Sequence, residues 1–117
     1  MVCLMAKDTL YVLRPGFQDK GATYFCPYSA QVIGFLDYYP QVRATLDVVE
    51  LGFDKPREPL SEVLGEDLQS APMLVLAGEG EPVTNVTIAH AKGRAYVEKT
   101  IQILRYLAAT RGVPLPH

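Results

Sequence analysis

The residues best suited to chemistry in this chain are Cys26 and the three that follow it, Pro27-Tyr28-Ser29. A helical pattern begins directly after the cysteine. A thiol at a helix start lies near the positive end of the helix dipole, which favours the nucleophilic thiolate. Ser29 stands where a second cysteine would resolve a disulfide, and its hydroxyl can donate to the thiolate or cap a helix amide. The spacing predicts single-thiol chemistry by Cys26, with a buried, inert cysteine as the alternative.

Composition narrows the class of protein. The 117 residues, 49% of them hydrophobic and 21% charged, predict one domain over residues 1–117, with 1–8 as a frayed N-terminal arm. The net charge of −2 leaves no basic stripe for nucleic acid. Two cysteines and no His/Cys cluster argue against a disulfide framework and a zinc site. These features predict a cytoplasmic protein with no metal and no membrane contact, and they leave the oligomeric state open.

Periodicity and turn residues predict the elements that position the cysteine. The order β-α-β-α-β-β-α, with two parallel strands joined by a helix, predicts an α/β fold with a four-stranded mixed sheet and helices on both faces. The predicted strands are residues 9–13, 47–53, 73–76 and 84–89, the first helix runs from Pro27 to Tyr39, a short second helix covers 60–68, and a turn occupies 78–82. Val97, Ile101, Leu104 and Ala108 predict one face of the last helix.

With Cys26 at the start of the first helix and Ala71-Pro72 before the third strand, this order resembles the thioredoxin fold. The tetrad from Cys26 to Ser29 is similar to the glutaredoxin active site Cys-Pro-Tyr-Cys with its last cysteine replaced. In finer pattern, the segments 13–17, 69–72 and 112–114 make the chain look like an uncharacterised bacterial family of small thioredoxin-like proteins of unknown function.

The glutaredoxin resemblance implies a monothiol oxidoreductase in which Cys26 attacks glutathione mixed disulfides. Glutathione would be a co-substrate, and no cofactor would be tightly bound. The resemblance places Pro72 in the cis form facing Cys26, and the backbone of Ala71 would pair with glutathione or another thiol peptide or protein. Pro27 and Tyr28 would line the same groove.

Three features depart from the glutaredoxin pattern. Thr23 occupies the position of a lysine that meets a glutathione carboxylate, so Lys20 and Arg14 would take that role only by folding their loop back over the site. That loop, residues 14–25, is longer than in glutaredoxins. Residues 88–93 lack the Gly-Gly-x-Asp turn that holds the other end of glutathione.

Two further functions stay open at this point. One is a redox-inactive thioredoxin-fold module that binds a peptide or protein. The other is iron–sulfur cluster carriage between two monomers, as in monothiol glutaredoxins. A distant resolving thiol, Cys3, is the remaining alternative for the chemistry of Cys26.

Overall fold

The computed structural model describes residues 7–117 and contains seven strands and four helices. The strands are β1 (Asp8–Leu13), β2 (Phe17–Asp19), β3 (Ala22–Tyr24), β4 (Leu46–Leu51), β5 (Met73–Val75), β6 (Ala89–Ala91) and β7 (Arg94–Glu98). The helices are α1 (Pro27–Tyr38), α2 (Pro40–Arg43), α3 (Leu60–Leu64) and α4 (Thr100–Arg111). Among these residues no helix combines the length and the apolar character needed to span a membrane.

Five strands form one mixed sheet in the order β4-β1-β5-β7-β6, and β2 pairs with β3 in a separate two-stranded sheet. β1 and β4 are parallel, with Asp8 opposite Leu46 and Leu13 opposite Leu51. The remaining pairs of the large sheet are antiparallel. The apolar run in β1 is buried on both sides, as expected for a strand covered by helices on both faces.

Alternate side chains of β1 enter two separate hydrophobic clusters. Leu10 and Val12 pack with residues of α1 and α4, such as Leu36 and Leu107. Tyr11 and Leu13 face the opposite way, into a cluster that includes Leu60 and Leu64 of α3. Because successive side chains of a strand point to opposite faces, this alternation separates the α1/α4 face from the α3 face.

Several predicted elements are confirmed, and the strand count is wrong. β1, α1, β4 parallel to β1, α3 and β5 all occur near their predicted positions. β4 ends at Leu51 rather than at residue 53, and α3 ends at Leu64 rather than at residue 68, because Gly65 terminates the helix with φ 101°. The large sheet has five strands rather than four. The segment predicted as the loop 14–25 contains the β2–β3 hairpin. Of the predicted frayed arm, Asp8 begins β1, while residues 1–6 lie outside the described residues.

The region before the last helix differs most from expectation. The predicted strand 84–89 is non-regular until β6 begins at Ala89, and the tight turn is Lys92-Gly93 rather than 78–82. Both turn residues have positive φ, 50° and 76°, which matches the two-residue hairpin turn that glycine permits. Val97 belongs to β7, not to the helix. Its four-residue spacing from Ile101 fits a helix by coincidence.

Candidate functional site

Cys26 caps the N-terminus of α1. Its backbone is extended (φ −83°, ψ 114°), and Pro27 occupies the first helical turn, where a missing N–H is tolerated. The Ser29 amide donates to Cys26 Sγ at 3.4 Å, and the Ala30 amide donates to the Cys26 carbonyl at 3.0 Å. The sulfur therefore accepts from one of the first-turn N–H groups that a helix leaves unpaired.

The same sulfur faces the segment that enters β5. Cys26 Sγ lies 3.9 Å from the Ala71 carbonyl oxygen, to which the thiol can donate. The Ala71–Pro72 peptide bond is cis, the isomer that the sequence resemblance implies. The fold thus brings Cys26, Ala71 and Pro72 together although 45 residues separate Cys26 from Ala71.

Ser29 lies in the first turn of α1, three residues after Cys26, and is 3% exposed. Its Oγ accepts from the Leu13 amide at 3.1 Å, at the end of β1. Among the described residues its contact with the sulfur is made by the backbone amide, not by the hydroxyl that the sequence suggested. Ser29 therefore joins α1 to β1 and supplies a main-chain donor to Cys26.

Two grooves meet at this corner of the molecule. The first, here called the α4 groove, has a volume of about 490 Å³ and runs between α1, the Ala71-Pro72 segment and the start of α4. It is lined by Tyr28, Gln31, Ser70, Ala71, Pro72, Glu98, Lys99, Thr100 and Ile101. Its lining includes two side chains of opposite charge, Glu98 and Lys99.

The second groove, here called the aromatic groove, has a volume of about 340 Å³. It is lined by Leu13, Phe17, Asp19, Tyr24, Phe25, Cys26, Pro27, Tyr28 and Phe53. Tyr28 lines both grooves, while Cys26 lines the aromatic groove and contacts Ala71 of the other. The sulfur thus lies where the two grooves adjoin.

Stacked rings form the wall of the aromatic groove. Phe17 lies over Phe53 with ring centroids 4.4 Å apart and planes 2° apart. Tyr24, opposite Phe17 in the β2–β3 hairpin, has its ring 6.4 Å away. Phe25 is 60% exposed beside the cysteine. The hairpin that replaces the predicted loop therefore carries aromatic surface to the edge of the site.

A network of hydrogen bonds connects Phe53, which lines the aromatic groove, to Gln69, which precedes the Ser70-Ala71 part of the α4 groove. The side-chain oxygen of Gln69, a residue that is 7% exposed, accepts from the Arg57 amide at 2.6 Å, and its Nε2 donates to the Glu66 carbonyl at 2.7 Å. The Arg57 guanidinium donates to the carbonyls of Phe53 and Gln69, at 2.8 Å and 2.9 Å. The network fixes Phe53 of the aromatic groove relative to the segment that leads to Ala71.

Arg14 and Lys20 are exposed residues next in sequence to residues that line the aromatic groove. Arg14 Nε is 3.5 Å from Glu50 Oε1, in an exposed ion pair. Lys20 occupies the exposed β2–β3 turn with φ 50°. Neither residue lines the α4 groove or the aromatic groove. Pairing of β2 with β3 folds the segment into a hairpin, three of whose residues line the aromatic groove.

The sequence pattern did not identify Glu98, Lys99 and Thr100 as groove residues. The pattern predicts that the last helix already includes Val97, so it gives no junction between a strand and a helix at residues 98–100. The sequence signal that could have found these residues is the pair Tyr96-Val97, two adjacent residues of high strand propensity. In the structure their side chains enter the two different clusters, as in a strand. Lys99 then precedes the helix with φ 73° and, within residues 7–117, makes no side-chain cap hydrogen bond.

The site has a neutral, largely apolar floor. Tyr11 belongs to the cluster against which Cys26 packs, and burial raises the pKa of its phenol, with Arg94 acting in the opposite direction. Within the described part of the chain, no three His, Cys, Asp or Glu side chains are grouped in a way that could hold a metal ion.

Comparison with known proteins places the chain in one family. No curated protein and no solved structure gives a significant match. A family model described as "Protein of unknown function (DUF3088)" matches residues 7–115, which is nearly the whole chain. The chain therefore belongs to the family Protein of unknown function (DUF3088).

Proposed function

We propose that this protein is a monothiol, glutaredoxin-like thiol–disulfide oxidoreductase of the cytoplasm that acts on glutathione mixed disulfides through Cys26. The observation that carries the proposal is the position of Cys26 Sγ. It accepts from the Ser29 amide at 3.4 Å, lies 3.9 Å from the Ala71 carbonyl and stands where two grooves adjoin.

The strand arrangement supports a thioredoxin-like fold as part of the proposal. β4 and β1 are parallel, and β5 and β7 follow antiparallel in the order β4-β1-β5-β7. In this interpretation, β6 and the β2–β3 hairpin are additions to a thioredoxin-like core. α1 carries the cysteine at its N-terminus and lies between the two parallel strands in sequence.

The proposed reaction has two exchange steps. The Cys26 thiolate attacks the glutathionyl sulfur of a disulfide R–S–S–G, forming a Cys26–glutathione disulfide and releasing R–S⁻, which takes a proton from solvent. The thiolate of a second, reduced glutathione attacks the glutathionyl sulfur on Cys26. This releases oxidised glutathione and the free Cys26 thiolate. Ser29, which has no thiol, leaves resolution to that second glutathione.

The α4 groove is the proposed site for the glutathionyl half. Glutathione carries charges of both signs and peptide groups, and Glu98, Lys99 and the main chain at Ala71 offer complementary partners. Tyr28 and Pro27 form the wall beside the sulfur. Lys99 takes the carboxylate-binding role that the sequence suggested for Lys20 and Arg14.

A second candidate is a redox-inactive module that binds an extended peptide or protein in the same grooves. The observation that favours it is Ser29, which is buried and bonded to the Leu13 amide as a structural residue. In this case Cys26 would serve only as a small helix cap. The two candidates differ in whether replacement of the sulfur abolishes function.

The test is turnover of the mixed disulfide between glutathione and 2-mercaptoethanol. Turnover is measured as the consumption of reduced glutathione. We expect turnover by the wild type and by Cys3→Ser, and only the uncatalysed rate with Cys26→Ser. Equal rates for Cys26→Ser and wild type, or no catalysis by the wild type, would contradict the proposal.

A further inference from the structure

We propose that the aromatic groove selects the leaving half of the disulfide, and that it favours peptide cysteines flanked by a large apolar residue and a basic residue. This inference rests on the proposed function, because it assigns the second groove at the same sulfur. It names the substrate class as glutathionylated peptide or protein segments of apolar and basic character.

The apolar part of the preference follows from the exposed rings beside the sulfur. Phe25 and Tyr24 are 60% and 48% exposed, and both line the groove with Cys26. The stacked pair of Phe17 and Phe53 forms a flat wall against which an aliphatic or aromatic side chain can pack. Covering this surface removes apolar area from water, which favours an apolar occupant.

The basic part of the preference follows from Asp19. It is the one formally charged side chain among the described residues that line the aromatic groove. It lies opposite Ala22 in the hairpin, and it forms no ion pair within residues 7–117. A cationic group on the occupant would therefore complement the groove.

Three basic side chains lie around this groove and must be weighed against Asp19. Arg14 is paired with Glu50, and Arg57 donates to two main-chain carbonyls while its guanidinium lies 5.4 Å from the centre of the Phe53 ring. Lys20 is adjacent to Asp19 at the exposed turn. The positive charge of Lys20 repels a cationic occupant. Removal of Lys20 should therefore strengthen the preference for a basic flanking residue, whereas removal of Asp19 should abolish it.

The exchange step uses both grooves at once. The glutathionyl sulfur bonds to Cys26 Sγ as its bond to the peptide sulfur breaks, and the electron pair of that bond leaves with the peptide thiolate, which is protonated by solvent. The glutathionyl half occupies the α4 groove. The departing peptide lies in the aromatic groove, where its flanking residues alter kcat/KM by contact. Because these residues also shift the pKa of the leaving thiol, each kcat/KM is divided by the uncatalysed rate of the same peptide with reduced glutathione before preferences are compared.

The experiment compares four glutathionylated peptides in which the cysteine is preceded by Phe or Ser and followed by Arg or Glu. For the wild type we expect kcat/KM to be about ten-fold higher with Phe than with Ser. Arg should be favoured over Glu by about three-fold, the size expected of an exposed charge pair. The Arg preference should shrink as salt is raised to 1 M, since salt screens exposed charges.

Variants assign each preference to its residue. Asp19→Asn should abolish the Arg preference, Lys20→Gln should increase it, and Phe25→Ala should reduce the Phe preference. Asp37→Asn, an exposed acid on α1 outside both grooves, is the charge control and should behave as wild type. Asp19→Ser provides a second removal of the charge, and each variant's fold is checked by its thermal transition.

The outcomes separate this inference from the function on which it rests. Turnover of the 2-mercaptoethanol disulfide with equal kcat/KM for all four peptides would overturn the inference alone. An Arg preference that persists in both Asp19 variants would also overturn it. Absence of turnover with every disulfide would overturn the proposed function and the inference together.

Discussion

The α4 groove and the aromatic groove adjoin at the Cys26 sulfur but are lined by different kinds of residue. The α4 groove is lined by α1, the 70–72 segment, the end of β7 and the start of α4, and its lining includes side chains of both charges. The aromatic groove is lined by the β2–β3 hairpin, the end of β1, the start of α1 and Phe53, and its lining includes five aromatic rings and one acidic side chain. Under the proposed function, the glutathionyl half meets a groove with charges of both signs, and the leaving half meets a groove of aromatic rings with one acid.

The two grooves also differ in what holds them in place. β5, α1 and α4 pack into the core of the α1/α4 face, where Leu74, Val32 and Ile103 are fully buried. The aromatic groove depends on ring stacking and on the Arg57–Gln69 network. Its shape should therefore be the easier of the two to disturb by substitution.

The largest expected effect comes from Gln69→Ala. This change leaves the Arg57 amide and the Glu66 carbonyl without their partner, at a cost of about 2–3 kcal/mol in the free energy of unfolding. KM should rise more for an apolar peptide disulfide than for the 2-mercaptoethanol disulfide. Chemical denaturation and steady-state kinetics measure the two effects, with the exposed Gln41→Ala as control. Equal KM changes for the two disulfides would contradict the difference in support between the grooves.

The next effect is that of Ser29→Ala. It removes the acceptor of the buried Leu13 amide and should lower the free energy of unfolding by about 1–2 kcal/mol. The exposed Ser70→Ala should leave the denaturation curve unchanged. Ser29→Ala keeps the backbone amide that donates to the sulfur. Alkylation of Cys26 by iodoacetamide should therefore remain within about two-fold of wild type. A large loss of alkylation would mean that the hydroxyl acts on the sulfur directly.

Tyr28→Ala removes the wall that the grooves share. The ring is 60% exposed, so the fold should be retained while kcat/KM falls about ten-fold for every disulfide, whatever its leaving group. Tyr38→Ala is a matched control on the same helix, since Tyr38 is 81% exposed and lines neither groove. A loss confined to apolar peptides would assign Tyr28 to the aromatic groove alone.

The smallest effect is that of Lys99→Gln. Loss of one exposed charge should raise KM for the 2-mercaptoethanol–glutathione disulfide about three-fold and leave kcat unchanged. Lys20→Gln should not change KM for this disulfide, because Lys20 does not line the α4 groove. The opposite result, with Lys20 sensitive and Lys99 silent, would restore the loop-closure role that the sequence suggested.

Local signals were sufficient to predict the core of the site. The apolar run of β1, the helix begun by Pro27 and stopped by Pro40, and the strand after Pro72 all occur where the sequence indicates them. Each is predicted by a few neighbouring residues. A continuous apolar run indicates a strand buried on both faces, and a proline marks where an element begins or ends because it lacks an N–H. The approach of Cys26 to Ala71 followed from the resemblance rather than from these local patterns.

The remaining parts depend on pairing between distant segments. Residues 94–98 form a strand because they pair with β5 and β6, and the helical spacing of Val97 cannot reveal this. The β2–β3 hairpin likewise results from the pairing of Phe17 with Tyr24. The hairpin leaves Lys20 and Arg14 outside the lining of both grooves, and the end of β7 adds Lys99 to the α4 groove, so the walls of both grooves were less predictable than the position of Cys26.

The most direct test of the central claim is the intact mass of the protein after incubation with oxidised glutathione at neutral pH. Wild type and Cys3→Ser should gain one glutathionyl group at Cys26, and reduced glutathione should remove it. Cys26→Ser should gain none at that position. An unmodified Cys26 in folded wild-type protein, or glutathionylation confined to Cys3, would contradict a monothiol exchange reaction at the junction of the two grooves.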